Sequence, residues 1–276
     1  MKKIIFVLLF GLVGSLSGYS QGIEKEVVGV SAFSSDVHSA FDKSVAEKVV
    51  QVVTNSRRFI VVDRTSYDKV KAELEFQKSE AFLDSKNTVQ QDVALAAHYL
   101  IVGHIVKMNI FTMKNSDGSV NGYKASASFT LKVNDVETGK TTEAESFQTS
   151  VSPLMLSKEA AVNEALKSVE PALNAYFSKT FPLTTNIVKI LTTKKDAAAT
   201  LLLAGGRSFG FKEGDKISVE RIEMLNGKPY PTTIGELKVT KIAGEDFSEC
   251  EVVKGGKEIL DRFNAAEKIH CKLITK

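Results

Sequence analysis

The chain predicts two successive modules, a mixed α/β sheet with packed helices followed by a small all-β barrel or sandwich. Three observations carry this. Apolar strand-like runs alternate with stretches of helical spacing up to Phe181; short β-like runs separated by turn residues fill the rest; and the change of character falls at Pro182. The expected boundaries are a signal peptide over 1–20, an α/β domain over 21–182 and a β-rich module over 183–276. A mature chain of about 255 residues is long enough for two cores.

Lys2 and Lys3 precede an apolar run from Ile4 to Val13, and Ser15, Ser17, Gly18 and Ser20 follow it. A charged start, a short apolar stretch and a small-residue end read as a cleavable secretory signal. The run is shorter than the roughly 20 residues a membrane-spanning helix needs. The mature chain is expected to begin near Gln21 and to be periplasmic. Removing Lys2 and Lys3 from 36 basic residues leaves 34 against 33 acidic ones. That balance gives no electrostatic ground for nucleic acid or an anionic membrane surface as the main partner.

Val27 to Phe33 reads as a buried strand, and Phe41, Val45, Val49 and Val53 then recur on one face of a helix. Phe59 to Val62 is a second short strand, after which Thr65 caps a helix carrying Val70, Leu74 and Phe76. Beyond the polar stretch from Lys78 to Gln91, a short helix with Val93, Leu95 and Ala96 leads into a strand over Tyr99 to Val106. A polar turn from Lys114 to Gly122 follows. Tyr123, Ala125, Ala127, Phe129, Leu131 and Val133 then share one face of a strand, and the turn at Thr138-Gly139 makes a hairpin with Thr141 to Thr149. A helix from Ser157 to Phe181 closes the module, kinked or split by Pro171.

In the second module the expected strands are 187–191, 200–203, 216–221, 236–242, 248–253 and 268–274. Gly205-Gly206, Gly214-Asp215, Asn226-Gly227 and Gly255-Gly256 mark turns between them. Cys250 and Cys271 fall on the last two strands. In an oxidising compartment they bridge if the strands pair and bring their Cα atoms within about 7 Å; two buried thiols are the alternative.

No catalytic, cofactor-binding or metal-ligating set is expected. Gly205 to Lys212 has glycines at phosphate-loop separation but lacks the Lys-Ser or Lys-Thr pair and does not precede a helix, so it reads as a hairpin turn. His98 and His104 share an expected strand face without a third ligand nearby, and His38 and His270 are distant in sequence. Glu73, Glu75 and Glu80 read as a solvated helix face. Asp63 and Arg64 follow the second strand, where α/β folds often carry functional residues. One reading makes them a partner or subunit contact; the other makes Asp63 a helix cap and Arg64 its salt-bridge neighbour.

Three segments together resemble the CsgG family of periplasmic and outer-membrane assembly proteins. They are Phe59-Ile60-Val61-Val62-Asp63-Arg64, Ala97-His98-Tyr99-Leu100-Ile101-Val102-Gly103, and Val133 to Lys140 with its Thr138-Gly139 turn. The resemblance covers Lys25 to Phe181. His98 stands where an acidic residue is more usual. The family includes the pore that exports curli subunits, and related folds occur in activators of peptidoglycan synthases and in flagellar assembly proteins. Gly210 to Val219 is similar to the β-modules that follow such domains in the flagellar relatives. The resemblance implies a non-catalytic exported assembly or interaction factor with an envelope protein partner, peripheral outer-membrane association, and a homo-oligomer as an open option. No Cys lies near the cleavage region, so the lipid anchor of many relatives is not expected. The alternatives are a curli-type channel subunit and a periplasmic small-ligand protein or enzyme. A pore needs added hairpins of about 9–11 residues per strand, and the short turn expected over Thr112 to Gly122 leaves no room for them.

Overall fold

The structure, a computed structural model, describes residues 25–63 and 97–274. The expected signal peptide, the helix after Thr65 and the short helix around Leu95 lie outside the described residues, as does Arg64.

Val27 to Val30 are all buried, and with Glu26 they form β1 (Glu26–Val30). Beyond Val30 the chain leaves the strand earlier than expected. The Phe33 ring lies against Gly103, where any Cβ would strike it. A two-residue strand, β2 (Ser34–Ser35), follows, and then helix α1 (Asp42–Asn55), whose buried Val45, Ala46, Val49, Val52 and Val53 form the anticipated stripe. Next comes β3 (Phe59–Asp63), parallel to β1 because the helix carries the chain back to the same end of the sheet.

Two 16-residue strands dominate this sheet: β4 (Tyr99–Lys114) and β5 (Val120–Asp135). With β6 (Thr141–Gln148) they give the order β3-β1-β4-β5-β6, with β2 also on β4. β4 is parallel to β1 and antiparallel to β5. The expected end of β4 near Val106 and the turn from Lys114 to Gly122 are therefore corrected. A bulge between Ile105 and Lys107 changes the phase of the alternation, so Ile101 and Ile105 face the core before it and Met108 and Ile110 after it. The turn itself is only 115–119, closed by the Asn115 N–H donating to the Ser119 carbonyl at 2.9 Å.

The long helix expected at the end of the module is split in two. α2 (Lys158–Lys167) is capped by the Ser157 hydroxyl accepting from the Ala160 N–H at 3.1 Å. α3 (Glu170–Thr180) carries Pro171 in its first turn, where a missing N–H leaves no bond unmade. Phe129, Phe147, Tyr176 and Phe177 stack between these helices and the sheet, with successive ring centroids 5.2–5.5 Å apart.

The second sheet is antiparallel throughout. Its strands are β7 (Thr184–Thr185), β8 (Ile187–Lys194), β9 (Ala197–Ala204), β10 (Lys216–Leu225), β11 (Lys228–Ile242), β12 (Phe247–Lys254) and β13 (Ile269–Leu273). They pair in the order β7-β13-β10-β11-β12-β9-β8. Only Asn186 separates β7 at one edge from β8 at the other, so the sheet curls round as a barrel. Bulges at Val219/Glu220, Glu236/Leu237 and Val239/Lys241 supply the bend. Leu201, Leu203, Ile217, Val219, Leu237 and Val239 fill the interior. A helix not anticipated from the sequence, α4 (Gly256–Asn264), places buried Ile259 against Gly235, whose lack of a Cβ makes room for it. The Asn226-Gly227 turn joins β10 to β11 with both residues at positive φ, as such a hairpin requires.

Candidate functional site

A cleft of about 1030 Å³ opens where the two sheets meet. One wall is the end of α1 and the start of β3. The Ser56 hydroxyl donates to the Val53 carbonyl at 2.6 Å and accepts from the Arg58 N–H at 3.3 Å. Between them Arg57 adopts a left-handed φ of 58°, a strained conformation for a residue with a side chain. This sharp turn sends the Arg58 side chain into the cleft. Phe177 and Ser178 of α3 extend the same wall.

The opposite wall is the connection from β9 to β10. Gly205 to Lys212 does not close a hairpin as expected, because β9 pairs with β12 and β8 rather than with β10. It forms a 3-10 turn, Arg207–Phe209, held by the Arg207 and Ser208 N–H groups donating to the Gly244 and Glu245 carbonyls at 3.1 Å. Gly210 then packs directly on the Ser56 carbonyl. Lys25 bridges the modules as well: its Nζ donates to the Ser208 carbonyl at 2.6 Å and lies 5.0 Å from the Phe209 ring centroid.

The charges in the cleft are unequally satisfied. Glu170 is held by Lys48 at 2.7 Å, Arg207 by Glu245 at 3.1 Å, and Lys216 stands 3.8 Å from Glu236. Asp215 accepts from the Lys212 N–H at 2.9 Å. Arg58 Nη1 is buried without a hydrogen-bond partner among the described residues. Burial pushes the Arg58 guanidinium below the usual arginine range, and the nearby Asp215 carboxylate opposes that shift. The arginine pair between α1 and β3 was not singled out in the sequence. Its signal was two cations between a helical stripe and an apolar run.

The residues that were singled out fall elsewhere. Asp63 ends β3, opposite Val30 in the register. His98 and His104 do not come together: His98 Nδ1 lies 2.8 Å from Glu26, while His104 contacts Ser34 Oγ at 2.9 Å and Asp36 at 3.0 Å. Among the described residues no three His, Cys, Asp or Glu side chains stand close enough to hold a metal ion. Cys250 and Cys271 are buried free thiols. The strand pairing expected to join them is not formed, because β10 and β11 lie between β12 and β13 in the sheet. No helix among the described residues is long and apolar enough to cross a membrane.

Residues 17–142 match the family model described as peptidoglycan-synthase activator LpoB, a match spanning less than half of the 276 residues. No curated protein matches the chain. Among solved structures it is similar to the PelC dodecamer from Paraburkholderia phytofirmans, at 13% identity and a TM-score of 0.32, covering 55% of this chain and 93% of that one. It is also similar to the lipoprotein GNA1162 from Neisseria meningitidis, at 9% identity and a TM-score of 0.33, covering 56% and 99%. A third, the putative neuraminyllactose-binding hemagglutinin homolog from Helicobacter pylori, shares 10% identity at a TM-score of 0.31 over 60% and 88%. The curli-secretion reading finds no support in these similarities. The family match agrees with the periplasmic placement expected from the N-terminus, and its first module is similar to a peptidoglycan-synthase activator family.

Proposed function

We propose that the chain is an exported, non-catalytic protein that binds and activates a peptidoglycan synthase in the periplasm. The observation that carries this reading is the match of residues 17–142 to an activator family, in a chain whose first 20 residues read as a secretory signal. An activator of this kind works by surface contact, and the matched segment presents suitable surface. At the outer part of the β4–β5 hairpin, Val106, Phe111, Met113 and Val120 are exposed. Met113 pairs with Gly122, and Leu154 packs where a Gly122 side chain would be, so Met113 and Leu154 adjoin at the tip of the hairpin. Asp63, at the carboxyl end of a parallel strand, is proposed as a second contact together with Arg64, the next residue in the sequence.

The test is crosslinking in intact cells with the mature chain as bait, followed by identification of what is recovered from the envelope. Recovery of a peptidoglycan synthase, lost on Phe111→Asp, is expected. Recovery of other envelope proteins with no synthase among them would overturn the reading.

A further inference from the structure

We propose that the cleft between the two sheets binds a carboxylate carried on a partly apolar peptide, with Arg58 as its anchor. This goes beyond the activator reading, since much of the cleft is built by residues after 142, outside the family match. Arg58 Nη1 is buried and unpartnered among the described residues, and the Asp215 carboxylate that acts on its charge is bonded to the Lys212 N–H instead. A guanidinium presents its N–H groups as a planar fork that fits two carboxylate oxygens, so one incoming carboxylate meets both the charge and the unmade bond.

The charge of the site selects the ligand class. Setting aside Glu170, Arg207 and Lys216, each of which has an ion-pair partner, the cleft keeps Arg57, Arg58 and Lys212 against Glu213 and Asp215. The surplus is a single positive charge. It suits one carboxylate and disfavours a polyphosphate, whose several charges would meet Glu213 and Asp215. Val52, Phe177, Phe211 and Leu273 line the same space and offer apolar contact to the rest of the ligand. The backbone holds the anchor in place: Arg57 turns at positive φ, its N–H donates to the Thr54 carbonyl at 3.1 Å, and Gly210 packs on Ser56.

The test is an NMR titration of the full mature chain with N-acetyl-alanyl-alanine and, separately, with its C-terminal amide. The acid should shift the amides of 55–58 and 207–216 in a saturable way, and the amide should not. Arg58→Gln should weaken binding of the acid by about tenfold or more, the scale of a lost charge-assisted hydrogen bond. Lys212→Gln, on an exposed loop, should weaken it less and keeps the proposal testable if Arg58→Gln fails to fold. Equal binding of acid and amide, no binding of either, or undiminished binding by a folded Arg58→Gln would overturn it. Because the readout needs no synthase, its failure is separable from failure of the activator reading.

Discussion

Gly210→Ala is expected to loosen the junction between the modules, and the structure allows the effect to be divided. Gly210 has a φ of +79°, in the left-handed region, which costs an alanine about 1–2 kcal/mol. Its Cβ would also land on the Ser56 carbonyl oxygen, a backbone atom that cannot swing aside. Relieving such an overlap costs about 1–3 kcal/mol more. Gly214, four residues on, has a φ of +89° with nothing within 4 Å of an added Cβ. Gly214→Ala therefore carries the conformational cost alone, and the difference between the two variants isolates the contact. Amide hydrogen exchange reads this locally. Gly210→Ala should speed exchange across 51–58 and 205–212 by about tenfold beyond Gly214→Ala, corresponding to about 1.4 kcal/mol. Equal effects of the two substitutions would refute the packing of the loop on the end of α1.

Ile259→Ala removes a fully buried side chain from α4 and should destabilise the barrel by about 2–4 kcal/mol, measured by urea unfolding, with exchange in β4 and β5 unchanged. Burial pushes the Cys250 thiol up to about 12 and raises Cys271 as well, so in reduced protein the thiolates are scarce at pH 8. Alkylation should accordingly wait for unfolding, and rapid labelling of the native reduced form would contradict the barrel interior. A bridge between the two, proposed from export alone, has to form between strands that are not neighbours, since β10 and β11 separate β12 from β13. Mass spectrometry of unreduced periplasmic protein should find the two cysteine peptides linked, and free thiols at both positions would dismiss the bridge. Purified mature chain should give no conductance in planar bilayers, whereas stable channels would revive the pore reading.

Several elements were legible because one physical rule governed each of them. The stripe of Val45, Val49 and Val53 needs only the helical period, and Pro171 divides the expected helix because a proline is tolerated in a first turn but not in a helix interior. The outer half of the β4–β5 hairpin was not legible. Its bulge after Ile105 breaks the alternation, and the polar Lys107, Asn109 and Thr112 look like a turn until β5 is seen to pair with them. That correction removes the argument from strand length against a pore, since strands of 16 residues exceed what a membrane needs. Helix α4 was hidden behind Gly255-Gly256, which mark a turn equally well when they precede a helix. The cleft could not be read at all from local pattern. It joins Arg58 to a loop about 150 residues away, and only the docking of the two modules brings them together.

Glycan polymerisation by a purified peptidoglycan synthase from the same cell, measured with and without the mature chain, tests the central claim most directly. The account predicts that the chain alone polymerises nothing, that it raises the rate of the synthase in a saturable way, and that Phe111→Asp abolishes the increase while the protein stays folded. An unchanged synthase rate at saturating chain, or polymerisation by the chain itself, would contradict it.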